Sequence, residues 1–144
     1  MPANWVVVAD ACRARIFETR ALGRGLHEIE DLINPAGRAH GNELLSEAGG
    51  RPLGGAGARQ GHTTVPRTDP VEHEVEMFAK RLADRLEKAR CEGRFERLYI
   101  IAAPRFLGLL REKRSKEIGR LVEREIAKDV AQLDIAAIAT QIWG

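Results

Sequence analysis

The segment LYIIAA, residues 98–103, is a continuous apolar run that is followed at once by Pro104. A run of this kind is typical of a strand that is covered on both faces of a sheet. Because proline is well tolerated at the first helical position, Pro104 predicts a helix directly after the strand. A buried strand that leads straight into a helix indicates an α/β fold.

The N-terminal part of the chain predicts the rest of the sheet. The run WVVVA at residues 5–9 has the same buried character, and ARIFET at 14–19 follows it after a short turn, which favours a hairpin. The segment LHEIEDLI at 26–33 predicts a third strand, less cleanly alternating. We therefore expect an α/β fold with a single mixed sheet of four or five strands and helices packed on one or both faces.

Local signals place the helices. Pro70 follows Asp69 and begins a helical apolar period, and Gly93 is placed to end that helix. Residues 135–143 predict a short C-terminal helix. Residues 118–127 stay ambiguous, because their apolar side chains fit both a helical period and the alternation of an edge strand.

Length and composition restrict the class of protein. The 144 residues are 44% hydrophobic, enough for one folded α/β domain over 1–144, and the net charge of +2 argues neither for nor against nucleic acid. The two cysteines, Cys12 and Cys91, form no metal-binding motif, and His40, His62 and His73 show no ligand spacing. We expect no cofactor, no metal, no membrane insertion and a cytoplasmic location.

The composition changes between the third strand and the first long helix. Residues 34–70 hold eight of the 14 glycines and four of the six prolines. We expect residues 34–69 to form a long, flexible Gly/Pro-rich loop within the domain, since connections of this length are usually functional or disordered. The densest part of this loop is GGAGARQGHTT at residues 54–64.

An ordered set of segments resembles the bacterial host attachment family, the proteins required for attachment to host cells. The set comprises VADACRARIF, Gly37-Arg38, PRTDPVEHEVEMFAKRLADRL, LYIIAAPRFLGLLRE and EIAKDV. That family is similar in fold to the middle domain of archaeal and eukaryotic class-1 release factors, whose relatives act on peptidyl-tRNA at the ribosome. The resemblance implies a strand at 121–127.

The release-factor resemblance also implies a role for the glycine-rich loop. In release factors a glycine-rich loop with a glutamine occupies the matching place, which implies that Gln60 orients a water and that Arg59 contacts phosphate. A glutamine amide can hold water beside an ester carbonyl. Here, however, four residues separate Gly55 from Gln60. The loop therefore favours a non-catalytic role over hydrolysis.

Basic residues supply candidates for phosphate contacts. Lysine and arginine neutralise phosphates, which makes binding sensitive to salt. The predicted nucleic-acid or anion-binding residues are Arg13, Arg15, Arg38, Arg59, Arg111, Lys113 and Arg114. The alternative is that these residues form ordinary solvated faces.

Asp10 is a further candidate site residue because it ends the first strand, where ligands often bind in α/β sheets. The alternative is that Asp10 only caps the turn to Cys12. The sequence places no second carboxylate beside it.

Three hypotheses about function follow. The first is a non-catalytic RNA- or ribosome-associated binding module, with tRNA or the ribosome as partner, acting indirectly in host attachment. The second is a peptidyl-tRNA or RNA hydrolase that uses Gln60. The third is a protein–protein interaction module whose loop orders on a protein partner.

Overall fold

The computed structural model describes residues 3–20, 25–37 and 70–143. In these ranges five strands form one mixed sheet, and this confirms the predicted α/β class. The strands are β1 (Asn4–Ala9), β2 (Arg13–Thr19), β3 (His27–Ile33), β4 (Arg97–Ala102) and β5 (Val122–Ala127). Their spatial order is β3-β2-β1-β4-β5. The pairs β1–β2 and β2–β3 are antiparallel, whereas the pairs β1–β4 and β4–β5 are parallel.

The helices cover both faces of the sheet. They are α1 (Pro70–Cys91), α2 (Pro104–Lys113), α3 (Lys116–Leu121) and α4 (Ile135–Trp143). Residues of α1, α2 and α3 share one core cluster with Trp5 and Val7, and residues of α4 share the opposite cluster with Val6 and Val8. Because β1 and β4 lie in the middle of this three-layer arrangement, their side chains are buried on both faces, as their continuous apolar runs predict.

The long helix α1 begins and ends at the predicted residues. It starts at Pro70, ends at Cys91 and buries an apolar stripe against the sheet. Gly93 has a positive φ of +70°, and the N–H of Arg94 donates to the carbonyl of Ala89 at 2.9 Å. This is the left-handed helix end that glycine favours.

The ambiguous region divides into a short helix and a strand. The Ser115 Oγ accepts the N–H of Ile118 at 3.1 Å and so caps α3, and β5 follows directly from Val122. The strand that the family resemblance implied is therefore confirmed from residue 122. The helix ends at Leu121. From Val122 the backbone pairs with β4 in parallel, and a further helical turn could not form these interstrand hydrogen bonds.

Candidate functional site

The carboxyl ends of the parallel strands meet at one edge of the sheet and border a cleft. The N–H of Ala103 donates to the carbonyl of Ala9 at 3.1 Å, and that of Lys128 to Ala102 at 2.9 Å. After β1 the chain turns to β2, and after β4 it turns to α2, so the connections that follow these two neighbouring strands lead in opposite directions. Such a switch point is where open α/β sheets place ligands. A cleft of about 420 Å³ lies at this edge.

Asp10 lies at this edge, where the sequence predicted it, and is only 7% exposed. Its Oδ1 accepts the N–H groups of Cys12 at 2.8 Å and Arg13 at 2.9 Å, so Asp10 does cap the turn to β2. The same side chain also lines the cleft. The two interpretations of Asp10 are therefore compatible.

A second carboxylate, Asp129, lines the same cleft, contrary to the sequence-based expectation. Burial raises the pKa of Asp10 above its ordinary value, and the negative charge of Asp129 raises it further, against the two N–H donors that lower it. Asp10 and Asp129 thus bring two carboxyl groups to one cleft. Asp129 follows the end of β5 by two residues, so the strand-end rule that selected Asp10 would also have found it.

The remaining walls of the cleft are of mixed character. Arg105 at the start of α2 pairs with Glu72 of α1, and this pair joins the two helices at the rim. The apolar wall is supplied by the side chains Val75, Phe106 and Leu109. Gly37 lies against the backbone of the β1–β2 turn, with room for no side chain. The cleft can therefore accept a molecule that has both polar and apolar parts.

The two predicted basic residues of β2 form ion pairs with the edge strand β3. Arg13 makes a two-pronged pair with Asp31, at 3.1 and 2.7 Å, and its side chain stays about one third exposed. Arg15 is buried and pairs with Glu28, and its Nη1 also donates to the carbonyls of Ala131 and Leu133. Arg15 thereby ties β2 to the segment before α4, so the structure places it in the interior.

The three predicted basic residues after Pro104 lie on or beside α2. Arg111 and Arg114 both donate to Glu125 of β5. The Arg111 side chain is 54% exposed, whereas that of Arg114 is 16% exposed. Lys113 is half-buried and makes no ion pair within the described part of the chain. Arg111 and Lys113 are thus the members of this group that a phosphate can reach.

Further exposed cations lie on the same two helices. Arg105, Lys116 and Arg120 are exposed on α2 and α3. We define the α2–α3 basic surface by its reachable side chains, namely Arg105, Arg111, Lys113, Lys116 and Arg120. Arg105 also borders the cleft, so the two features adjoin along α2.

Some predicted residues lie outside the described ranges. These are Arg38, Arg59 and Gln60, together with His40 and His62, and their roles stay predictions. Where the structure does describe the chain, no three His, Cys, Asp or Glu side chains are grouped to hold a metal ion. No helix in residues 3–20, 25–37 and 70–143 is long and apolar enough to cross a bilayer.

A family model, described as "protein required for attachment to host cells", matches residues 5–142. The chain belongs to this host attachment family. An uncharacterized protein of Rickettsia prowazekii strain Madrid E is 29% identical over 80 residues, which cover 54% of this chain and 53% of that protein. The chain thus aligns with about half the length of this curated relative.

The chain is similar to parts of larger proteins of solved structure. The crystal structure of the archaeal translation termination factor aRF1 matches 98% of this host attachment chain and 35% of its own, at 11% identity and a TM-score of 0.52. A Ppx/GppA phosphatase of Aquifex aeolicus matches 88% of this chain and 36% of its own, at 12% identity and a TM-score of 0.47. The termination-factor likeness confirms the predicted fold resemblance, and at this identity it concerns the fold alone.

Proposed function

We propose that this chain is a non-catalytic, cytoplasmic module that binds RNA of the translation machinery through the α2–α3 basic surface, and that its part in host attachment is indirect. The observation that carries the proposal is the set of cations on two consecutive helices, of which Arg105, Arg111, Lys116 and Arg120 are exposed and Lys113 is half-buried. The likeness to a translation termination factor supports the choice of partner.

The charge of this surface differs from that of the chain. Residues 104–121 contain six basic and two acidic residues, whereas the whole chain carries a net charge of only +2. A local excess of this kind attracts phosphates without making the protein uniformly basic. Few of its neighbours are aromatic, and Phe106 is buried. The surface therefore suits contacts with the RNA backbone and shape better than base stacking.

The proposal does not use every basic residue that the sequence nominated. Arg15 is buried, and its guanidinium already donates to Glu28 and to two backbone carbonyls. Arg114 is mostly buried on Glu125. Arg13 retains some exposure on β2, but its guanidinium is paired with Asp31.

The test is co-sedimentation with ribosomes and gel-shift of tRNA at low and moderate salt. The test variant is Lys113→Glu/Lys116→Glu, and the matched control is Lys80→Glu/Lys88→Glu, which places the same charge change on exposed positions of α1. We expect the α2–α3 variant to bind RNA more than tenfold more weakly. The slope of log affinity against log salt concentration should become shallower by about 1.5 to 2, as expected for two lost phosphate contacts. The control is expected to bind like the wild type.

Other outcomes would contradict the proposal. Binding that ignores salt, or that the two variants weaken equally, would refute the α2–α3 basic surface. Absence of binding by the wild type would direct the search to protein partners. Peptide release from peptidyl-tRNA that Gln60→Ala abolishes would replace the proposal with the hydrolase hypothesis, whereas equal activity of both proteins would remove Gln60 from consideration.

A further inference from the structure

Glu125 of β5 is held by two guanidinium groups from the α2 region. Its Oε1 accepts Nε and Nη2 of Arg111 at 2.9 and 2.7 Å, and its Oε2 accepts Nη1 of Arg114 at 2.5 Å. We call this arrangement the Glu125 clamp. It joins the end of α2 to the edge strand of the sheet.

The two arginines of the Glu125 clamp are not equivalent. Arg111 is 54% exposed, but Arg114 and Glu125 are only 16% and 17% exposed. Arg111 lies in the last turn of α2 with its side chain exposed, whereas Arg114 follows the end of α2 and is mostly buried. A phosphate approaching from solvent can therefore reach Arg111 but not Arg114.

We propose that Arg111 exchanges Glu125 for an RNA phosphate on binding, while Arg114 stays on Glu125, so that Glu125 sets the affinity of the surface. This inference rests on the proposed function and deepens it. It assigns Arg111 as the phosphate ligand, Glu125 as the competing acceptor and Arg114 as the positioning residue.

The energetic argument concerns what each exchange leaves behind. A mostly buried carboxylate without a cation is strongly unfavourable, so Glu125 needs at least one guanidinium. Loss of Arg111 leaves Glu125 paired with Arg114 at 2.5 Å. Release of Arg114 from Glu125 would instead leave the Arg114 guanidinium without this acceptor at a mostly buried position. Release of the exposed Arg111 from Glu125 therefore costs less free energy than release of Arg114.

The ionisation of Glu125 agrees with this arrangement. Burial by itself would raise the pKa of Glu125, but hydrogen bonds from Arg111 and Arg114 more than offset it, and the pKa lies below its ordinary value. Glu125 therefore competes as a full negative charge at neutral pH. A phosphate that accepts two hydrogen bonds from Arg111 offers an equivalent charge-assisted geometry.

The inference is tested by fluorescence anisotropy with a labelled RNA hairpin over a series of salt concentrations. The variants are Arg111→Ala, Glu125→Gln and the double variant, and the matched control is Glu123→Gln. Glu123 lies on the same strand and pairs with Arg97 at 3.5 Å, with its side chain 54% exposed. Circular dichroism establishes that each variant is folded.

We expect Glu125→Gln to raise the affinity about two- to fivefold, since it removes an acceptor that competes for Arg111. Glu123→Gln is expected to have a smaller effect, limited to the loss of one distant charge. Arg111→Ala should weaken binding and reduce the number of neutralised phosphates by about one. In the Arg111→Ala background, Glu125→Gln should no longer raise the affinity.

Two results would overturn the inference. Equal effects of Glu125→Gln and Glu123→Gln would indicate general electrostatics instead of a clamp. A gain from Glu125→Gln that persists without Arg111 would show that another group is released. If either result is obtained while Lys113→Glu/Lys116→Glu still weakens binding, the exchange of Glu125 for phosphate is refuted and the proposed function stands. A wild type that binds no RNA would refute both.

Discussion

Gly37 offers the sharpest test of the packing beside the cleft. A Cβ placed on Gly37 would lie 2.0 Å from the carbonyl oxygen of Ala11, 2.5 Å from its carbonyl carbon and 3.0 Å from the Cα of Cys12. Ordinary contacts of this kind are 3.4–4 Å. All three atoms belong to the backbone, so no side-chain rotation can relieve the overlap. Gly37→Ala must therefore displace either the β1–β2 turn or residues 34–37.

The displacement would break hydrogen bonds that join these two segments. The N–H of Asn34 donates to the carbonyl of Cys12 at 2.8 Å, and its side-chain Nδ2 donates to that of Ala11 at 2.9 Å. Overpacking in a close-packed region costs about 1–3 kcal/mol, and each buried hydrogen bond that is lost adds about 1 kcal/mol. We expect Gly37→Ala to lower the free energy of unfolding by about 2–4 kcal/mol.

Gly108 supplies a control with the same chemical change. It lies inside α2, and a Cβ there would meet no atom within 4 Å. Because alanine restricts the unfolded chain and favours helix, Gly108→Ala should raise the free energy of unfolding by about 0.5–1 kcal/mol. The two substitutions are thus expected to have opposite signs.

Urea unfolding followed by circular dichroism measures both free energies, and thermal unfolding should shift by roughly 2–4 °C per kcal/mol. A Gly37→Ala protein that is as stable as the wild type would refute the close approach of residue 37 to the β1–β2 turn. Destabilisation by Gly108→Ala would refute the open surroundings of α2. Opposite shifts would support both.

Three further predictions concern buried or paired charges. Because the pKa of Asp10 is raised, its ionisation lowers stability as the pH rises above 3.8. Asp10→Asn should flatten that decline in urea unfolding, whereas Asp10→Ala should cost about 1–3 kcal/mol by leaving two N–H groups without an acceptor. Arg15→Met removes the donors to Glu28 and to two carbonyls; we expect a loss of about 2–4 kcal/mol in thermal unfolding, and a loss below 1 would contradict the buried network. The pKa of Glu87 is lowered from 4.5 to about 2, chiefly by its hydrogen bond from Arg90 and also by one from Ser115. Its stabilisation should be complete above pH 4.5 and disappear toward pH 2, so acid titrations of Glu87→Gln and wild type should differ at pH 6 and converge near pH 2; curves that stay parallel would refute the pairing.

The elements of the fold were largely predictable because their causes are local. The apolar runs at residues 5–9 and 98–102 indicate strands covered on both faces, and both strands lie in the interior of the sheet. Pro70 and Gly93 mark the ends of α1 because one fits the first helical turn and the other accepts a positive φ. The region at 118–127 resisted prediction, because its apolar side chains fit both a helix and an edge strand, and the pairing of β5 with β4 favours the strand from residue 122.

The candidate site was predictable only in part. Asp10 was found from its place after a strand, and Arg111 and Lys113 from the cluster of basic residues. The same cluster could not show that Arg114 is mostly buried on Glu125. Nor could the sequence show that the Arg15 guanidinium donates hydrogen bonds to the Glu28 carboxylate and to two backbone carbonyls. The sequence gives the number of cations, but packing decides which of them face solvent.

Most strands and helices could be read from local features, because helix caps, proline, glycine and apolar runs act over a few residues. Which distant groups meet depends on how the strands pair. Asp129 comes to line the cleft beside Asp10 because β5 pairs with β4 and β4 pairs with β1. Strand order and the long connections set such contacts, and they depend on the free energy of the whole packed sheet instead of on any local pattern.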